Sequence, residues 1–291
     1  MDRREPVVGQ LRRRAAVLGH PVSHSLSPVL HAAAYEALGL DWTYEAVDVV
    51  ETGLTDFLAG LDDAWVGLSL TMPLKIEAAR IADFVEPQAK LVGTVNTLVA
   101  SGLGEYRQWV GANTDIHGVT AALREAGVSS CAQPVVIGAG ATGTSALAAL
   151  GALGGTHPRV VVRNRARAGG LMRAATKMGL QPRFLDLDSD AALDALAQAD
   201  VVVSTVPAEA GVLLGERLRA AGLTTPGHLL DVVYSPLVTP LALAWADASG
   251  STISGTRMLL HQAGEQVRLM TGQPAPLEAM ETALNRVLTT S

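Results

Sequence analysis

The chain has 291 residues, 48% of them hydrophobic and 17% charged, enough to bury large cores and to divide into two domains. Its net charge of −6 argues against a nucleic-acid surface, which needs clustered cations, and its single cysteine, Cys131, rules out an intrachain disulfide or a cysteine-rich zinc site. A lone cysteine suits a reducing cytoplasm, and no metal is expected. No Asp, Glu, Lys or Arg occurs between Glu125 and Arg159, but glycines, Pro134 and polar Ser and Thr residues break that run before it reaches membrane-spanning length. The N-terminal arginines (Arg3, Arg4, Arg12 to Arg14) precede no apolar leader segment, so residues 1–14 read as a loose tail.

After the tail, 15–19 reads as a first strand running into His20-Pro21-Val22-Ser23-His24-Ser25-Leu26-Ser27-Pro28. Ser27 before Pro28 predicts a helix start with the serine as N-cap, and Gly39 predicts its end. Ser25, Ser27 and His24 are either turn and capping groups or polar groups at a strand's C-terminal end, where open α/β sheets bind ligands. Residues 43–49 alternate like a second strand, 56–61 suggest a short helix, and 65–70 a third strand ending in Thr71-Met72-Pro73-Leu74-Lys75. Strands alternating with helices imply a mostly parallel sheet. Lys75 shares its type with Lys90 and Lys177 alone. In an arginine-rich chain it is either a proton-transfer group or a surface lysine opening a helix over 76–85. Asn96 falls in a turn-like stretch, 106–110 reads as a strand, and Asp115 precedes an apolar-periodic helix over 119–126, which capping alone would explain.

The middle of the chain is more explicit. Val135-Val136-Ile137 leads into Gly138-Ala139-Gly140-Ala141-Thr142-Gly143, followed by an alanine-rich helical stretch. A strand turning sharply into a helix at these three glycines is the dinucleotide-binding arrangement: Gly138 makes the turn, Gly140 admits a pyrophosphate, and Gly143 lets helix pack on strand. The next strand-like run, Val160-Val161-Val162, ends in Arg163-Asn164-Arg165-Ala166-Arg167, where the adenosine ribose would sit, and no acid follows until Asp186. A carboxylate there would select NAD, whereas cations favour the 2′-phosphate of NADP; a solvated basic turn is the alternative. Further on, the pattern predicts helices over 191–199, 215–221 and 240–248, and strands over 201–204, 228–234 and 251–254. Two closing helices follow at 256–270 and 276–288.

Gly19 to Pro28, Leu70 to Lys75, Val95-Asn96-Thr97 and Asn113-Thr114-Asp115-Ile116-His117-Gly118 together resemble the shikimate dehydrogenase family. So do the Gly138 turn, Asn164-Arg165, Ser204-Thr205-Val206-Pro207, Asp231 to Pro236 and Gly255 to Gln262, in the family's order. The resemblance implies an α/β protein of two domains: a substrate domain with a mostly parallel sheet (15–114 and 255–291) and a Rossmann-type NADP domain (115–254). It makes Lys75 and Asp115 the catalytic pair and gives Ser25, Ser27, Thr71, Asn96, Tyr234 and Gln262 to a small-molecule substrate. Gly138, Ala139, Gly140, Ala141, Thr142 and Gly143, with Asn164, Arg165, Arg167, Thr205, Gly255 and Met258, fall to the cofactor. The implied reaction is reversible reduction of 3-dehydroshikimate to shikimate by NADPH, in a cytoplasmic monomer or homodimer that binds neither nucleic acid nor membrane. Quinate or aminoshikimate oxidation on the same scaffold, or a non-catalytic sensor of NADP or a metabolite, are the alternatives. Two positions depart from the family: Ser69 replaces a frequent asparagine, and Thr144 and Ser145 stand where an arginine often follows the glycine turn.

Overall fold

The computed structural model describes residues 12–225 and 227–290. In chain order the first part forms β1 (Arg13–Gly19), α1 (Ser27–Ala37), β2 (Trp42–Asp48), α2 (Leu54–Ala59), β3 (Trp65–Leu70), α3 (Lys75–Ile81), β4 (Phe84–Val85), α4 (Pro87–Val92), β5 (Thr97–Ser101) and β6 (Gln108–Ala112). There follow α5 (Asp115–Glu125), β7 (Pro134–Ile137), α6 (Ala141–Ala152), β8 (Arg159–Val162), α7 (Gly169–Lys177), β9 (Arg183–Asp186), α8 (Asp190–Ala197) and β10 (Val201–Ser204). The chain closes with α9 (Ala208–Ala220), β11 (His228–Asp231), α10 (Pro240–Asp247), β12 (Ser251–Ser254), α11 (Gly255–Thr271) and α12 (Leu277–Thr290).

These elements build two sheets. The first has the order β2-β1-β3-β5-β6-β4 and is parallel except for β5, which runs antiparallel to both β3 and β6. Residues from α2, α3 and α4 form the core on one side of it, while α1, α11 and α12 pack together on the other. The second sheet, β12-β11-β10-β7-β8-β9, is parallel throughout. Both of its faces are covered, which is why the central strands β7, β8 and β10 read as valine-rich runs. Val160 and Val162 join the core with α5, α6 and α7, whereas Val161 faces α8, α9 and α10. The strand order reverses at β7, so the glycine turn after it opens at the switch point where such sheets bind ligands.

Several elements differ from their sequence expectations. Residues 1–11 of the expected tail lie outside the described residues, but Arg13 and Arg14 belong to β1. Their charge is accommodated because Arg13 donates to the Asp63 carbonyl at 2.8 Å, and Arg14 pairs with Glu45 at 2.7 Å with its guanidinium over the Trp65 ring. The helix expected over 76–85 stops at Ile81, where Ala82 turns extended so that Phe84 and Val85 can pair with β6. Helix α4 went unpredicted although Pro87 opens it and Gly93, at φ 71°, closes it. Helix α7 and strand β9 were likewise unpredicted, and α9 begins at Ala208 rather than 215. The strand expected over 228–234 ends at Asp231, freeing 232–238 as a loop beside the cleft.

Helix α11 leaves the second sheet and returns to pack against α5, α1 and the first sheet. Its approach depends on Gly118 of α5, where a Cβ would stand 2.8 Å from both the Gln262 Cβ and the Met258 carbonyl oxygen. Arg257 fixes the same helix by binding both carboxylate oxygens of Glu125, at 2.9 and 2.5 Å. Gly118→Ala should therefore force these helices apart and cost about 1–3 kcal/mol of stability, measured as a shift in the denaturant midpoint.

Candidate active site

The loops at the C-terminal ends of β1 and β3 are tied together: Thr71 N–H donates to the Leu18 carbonyl at 2.9 Å and His20 N–H to that of Met72 at 3.0 Å. The Lys75 carbonyl accepts from Val95 N–H at 2.9 Å, while the Asn96 carbonyl accepts from Leu70 N–H at 2.8 Å. Backbone bonds thus bring the lysine turn and the asparagine turn side by side before any side chain is considered. Lys75 opens α3 and Asp115 opens α5. Their side chains meet at 2.5 Å, with 13% and 5% exposure respectively. Asn96 holds the other carboxylate oxygen at 2.8 Å and also donates to Thr114 Oγ1 at 3.0 Å. Asp115 gains from its place in the first turn of a helix, where free N–H groups favour negative charge.

A cavity of about 390 Å³ opens over this pair. It is lined by every residue assigned to catalysis or substrate from the resemblance: Ser25, Ser27, Thr71, Lys75, Asn96, Asp115, Tyr234 and Gln262. Thr142, Gly255 and Met258, assigned to the cofactor, line the same cavity, which also runs past Ser69 and Gln266. Ser27 is not the N-cap: it is the first residue of α1, and its N–H is taken by Ser25 Oγ at 3.3 Å. Leu26 stands at the N-cap position with no side-chain cap bond, and the buried Ser27 lines the cavity. Asp115 is likewise no cap but the first helical residue, with Thr114 before it. Burial raises the Tyr234 phenol above its ordinary value, so Tyr234 meets a ligand as a neutral hydroxyl. His117, on α5 with Asp115, is exposed.

The glycine turn has the geometry a pyrophosphate requires. Gly138 sits at φ 102°, a left-handed conformation that favours glycine, and a Cβ there would lie 2.6 Å from Thr205 Oγ1. At Gly143 a Cβ would lie 2.6 Å from the Gly138 carbonyl oxygen. Gly140 is the N-cap of α6 and makes no side-chain cap bond, so the first-turn N–H groups have no capping side chain. Thr205 Oγ1 donates to the Ile137 carbonyl at 2.9 Å and so braces this turn. Asn164 caps the next turn by accepting from Ala166 N–H at 2.9 Å, and Arg165 lies over the Phe184 ring. Arg167 shares a groove of about 390 Å³ with Ala139, Gly140, Ala141 and Thr144. Arg173 and Lys177 line it too, and none of its described lining residues is acidic. The sequence did not disclose these two cations because their helix, α7, was unpredicted; they supply positive charge that the absent arginine after the glycine turn does not. Ser145, one of the departing positions, bonds instead to Asn113 Nδ2 at 3.1 Å, tying α6 to the segment that carries Asp115.

Two known domains match the chain: the shikimate dehydrogenase substrate binding domain over residues 17–98 and the shikimate 5′-dehydrogenase C-terminal domain over 255–284. The NADP(+) shikimate dehydrogenase of Methanosarcina mazei is 35% identical over 281 residues, covering 94% of this chain and 97% of the relative. The chain belongs to the shikimate dehydrogenase family. Within that family, the NADP(+) enzyme of Citrifermentans bemidjiense is 39% identical across 95% of this chain and 96% of its own. Among solved structures, Mycobacterium tuberculosis shikimate dehydrogenase superposes with a TM-score of 0.84 at 44% identity, covering 94% of this chain and 99% of that one. The Thermus thermophilus shikimate 5-dehydrogenase, solved with NADP(H) and shikimate, gives 0.77 at 32% identity over 95% and 100%. The family membership and the α/β fold with a Rossmann-type second sheet agree with the resemblance read from the motifs. No helix among the described residues is long and apolar enough to cross a membrane.

Behind the cavity His31 is fully buried and stacked on Tyr44, with ring centroids 3.9 Å apart. Burial pushes its pKa down to about 3, despite a hydrogen bond to Gln266 that favours the charged form. The folded protein thus keeps His31 neutral where the unfolded chain would protonate it, so stability is lost as pH falls from the ordinary histidine value of 6.5 towards about 3. His31→Gln should flatten the slope of unfolding free energy against pH in that window by up to one proton, as measured by denaturant titrations at fixed pH values.

Proposed function

We propose that the chain reduces 3-dehydroshikimate to shikimate reversibly with NADPH. The observation that carries this reading is the Lys75–Asp115 pair at 2.5 Å in a cavity whose far wall is the glycine turn's helix and the start of α11. Bound NADPH supplies the hydride. As negative charge grows on the carbonyl oxygen, the Lys75 ammonium stabilises it and delivers the proton, while Asp115 aims the lysine and accepts from a neighbouring substrate hydroxyl. Ser25, Ser27, Thr71, Asn96, Tyr234 and Gln262 hold the hydroxyls and carboxylate of the ring. The glycine turn takes the pyrophosphate, Thr205 braces that turn, and Gly255 and Met258 flank the nicotinamide. Asn164, Arg165 and Arg167 select the 2′-phosphate, joined by Arg173. Residues 13–114, from the start of β1, with 255–291 form the substrate domain and 115–254 the cofactor domain. The protein works in the cytoplasm as a monomer or homodimer.

Nicotinamide absorbance, with shikimate or quinate crossed against NADP or NAD, tests the assignment. Shikimate with NADP should be the best pair; preference for quinate with NAD would refute it, and cofactor binding without turnover would make the protein a sensor. Lys75→Ala should lower kcat about a thousandfold and shift the calorimetric Kd for shikimate by less than about tenfold. Replacing Arg167 and Arg173 together by alanine should raise KM for NADPH about tenfold and leave KM for NADH nearly unchanged, because only the 2′-phosphate loses its charged partners.

A further inference from the structure

Gln266 of α11 is 1% exposed and lies one helical turn beyond Gln262. Its amide nitrogen donates to the Asn96 carbonyl at 3.3 Å and to Thr97 Oγ1 at 3.0 Å. Its oxygen accepts from Ser69 Oγ at 2.8 Å and faces His31 Nε2 at 3.3 Å. Tyr44 donates in turn to Ser69 Oγ at 2.6 Å. On the other side, Thr97 Oγ1 donates to Asn96 Oδ1 at 2.9 Å, and Asn96 Nδ2 donates to Asp115.

The direction of these bonds is fixed. Thr114 N–H donates to Asn96 Oδ1 at 2.8 Å, so the Asn96 amide must present its nitrogen to Asp115. The Asn96 carbonyl can only accept, so Gln266 must turn its nitrogen towards it and its oxygen towards Ser69. Since Thr97 already accepts from Gln266, its own hydrogen is free for Asn96. The resulting series runs Tyr44 to Ser69 to Gln266 to Thr97 to Asn96 to Asp115, every donor pointing towards the carboxylate that holds Lys75. Aligned hydrogen bonds in a buried setting polarise one another in one sense.

Resting on the function proposed above, we infer that Gln266 is a positioning residue of the reaction: through Thr97 and Asn96 it sets the orientation of the Asp115 carboxylate and hence of Lys75, and Ser69 and Tyr44 hold it in that role. Ser69, where the chain departs from its family's frequent asparagine, is then half of a Ser69–Gln266 pair. Helix α11 thereby acts on both sides of the chemistry, facing the cavity with Gln262 and bracing the catalytic pair with Gln266.

The test uses the full chain and a readout that needs no turnover. Lys90 and Lys177 are the other lysines of the sequence, and both are exposed, so limited acetylation followed by peptide mass spectrometry reports Lys75 reactivity against two internal references. Gln266→Leu, Ser69→Ala and Tyr44→Phe should raise Lys75 labelling in the order Gln266, Ser69, Tyr44, by about threefold or more for the first. The same order should hold for loss of kcat, about tenfold for Gln266→Leu, with KM for shikimate within about twofold of the parent. Ser69→Ala combined with Gln266→Leu should be no worse than Gln266→Leu alone. Unchanged Lys75 labelling in folded Ser69→Ala and Gln266→Leu proteins would overturn the inference whatever the activity, as would losses carried by KM alone. Should Gln266→Leu fail to fold, Ser69→Ala and Tyr44→Phe decide by the same criteria. Absence of turnover in the parent protein, with the labelling order intact, would remove the proposed reaction and leave the coupling standing.

Discussion

The contact between Lys75 and Asp115 constrains the rest of the molecule, because two charges at 5% and 13% exposure are costly to bury and must be met on every side. A lysine without its carboxylate, or a carboxylate without its lysine, would leave an uncompensated charge worth about 3–5 kcal/mol. The surroundings answer that demand by layers. Asn96 takes the second carboxylate oxygen, Thr114 and Thr97 hold Asn96, and Gln266 holds Thr97. Since buried ion pairs add little net stability, an arrangement this well supported and open to a cavity is best understood as serving chemistry.

The two sheets divide the work around that pair. The first supplies Lys75 and Asn96 from turns whose backbones are bonded to its strand ends, and the second supplies a glycine turn at its switch point. Two segments keep the halves in register. One is the Asn113–Asp115 stretch, tied to α6 through Ser145; the other is α11, which carries Gly255 and Met258 beside the second sheet and Gln262 and Gln266 at the first. On the proposed function, a hydride donor on one half would meet a carbonyl on the other only if this register is kept, because reacting groups must be aligned at close range.

Much of this was legible along the chain. Valine runs flanked by glycine turns announced a buried parallel sheet, since strands covered on both faces need apolar side chains at every position. The glycine spacing and the acid-free basic turn after Val162 announced a dinucleotide and its phosphate. Short ordered motifs around Lys75, Asn96 and Asp115 singled those residues out, and the three line one cavity. Less legible were elements whose signals were local and small. Phe84 and Val85 form a strand only because β6 lies alongside, and Ser27 yields the N-cap position to Leu26 because the helix begins one residue earlier than the Ser-Pro pair suggested.

By itself, the sequence determined the composition of each half and the chemistry available at each turn, because turn residues, glycine spacings and apolar periodicity act over a few neighbours. Tertiary structure alone decided which of these groups meet. Gln266 lies 170 residues from Asn96 along the chain, Arg173 and Lys177 face a groove whose other wall is α4, and Gly118 matters only because α11 packs against it. None of those relations has a local signal, because each depends on how two distant surfaces close on one another, and closure is set by the summed packing of both cores.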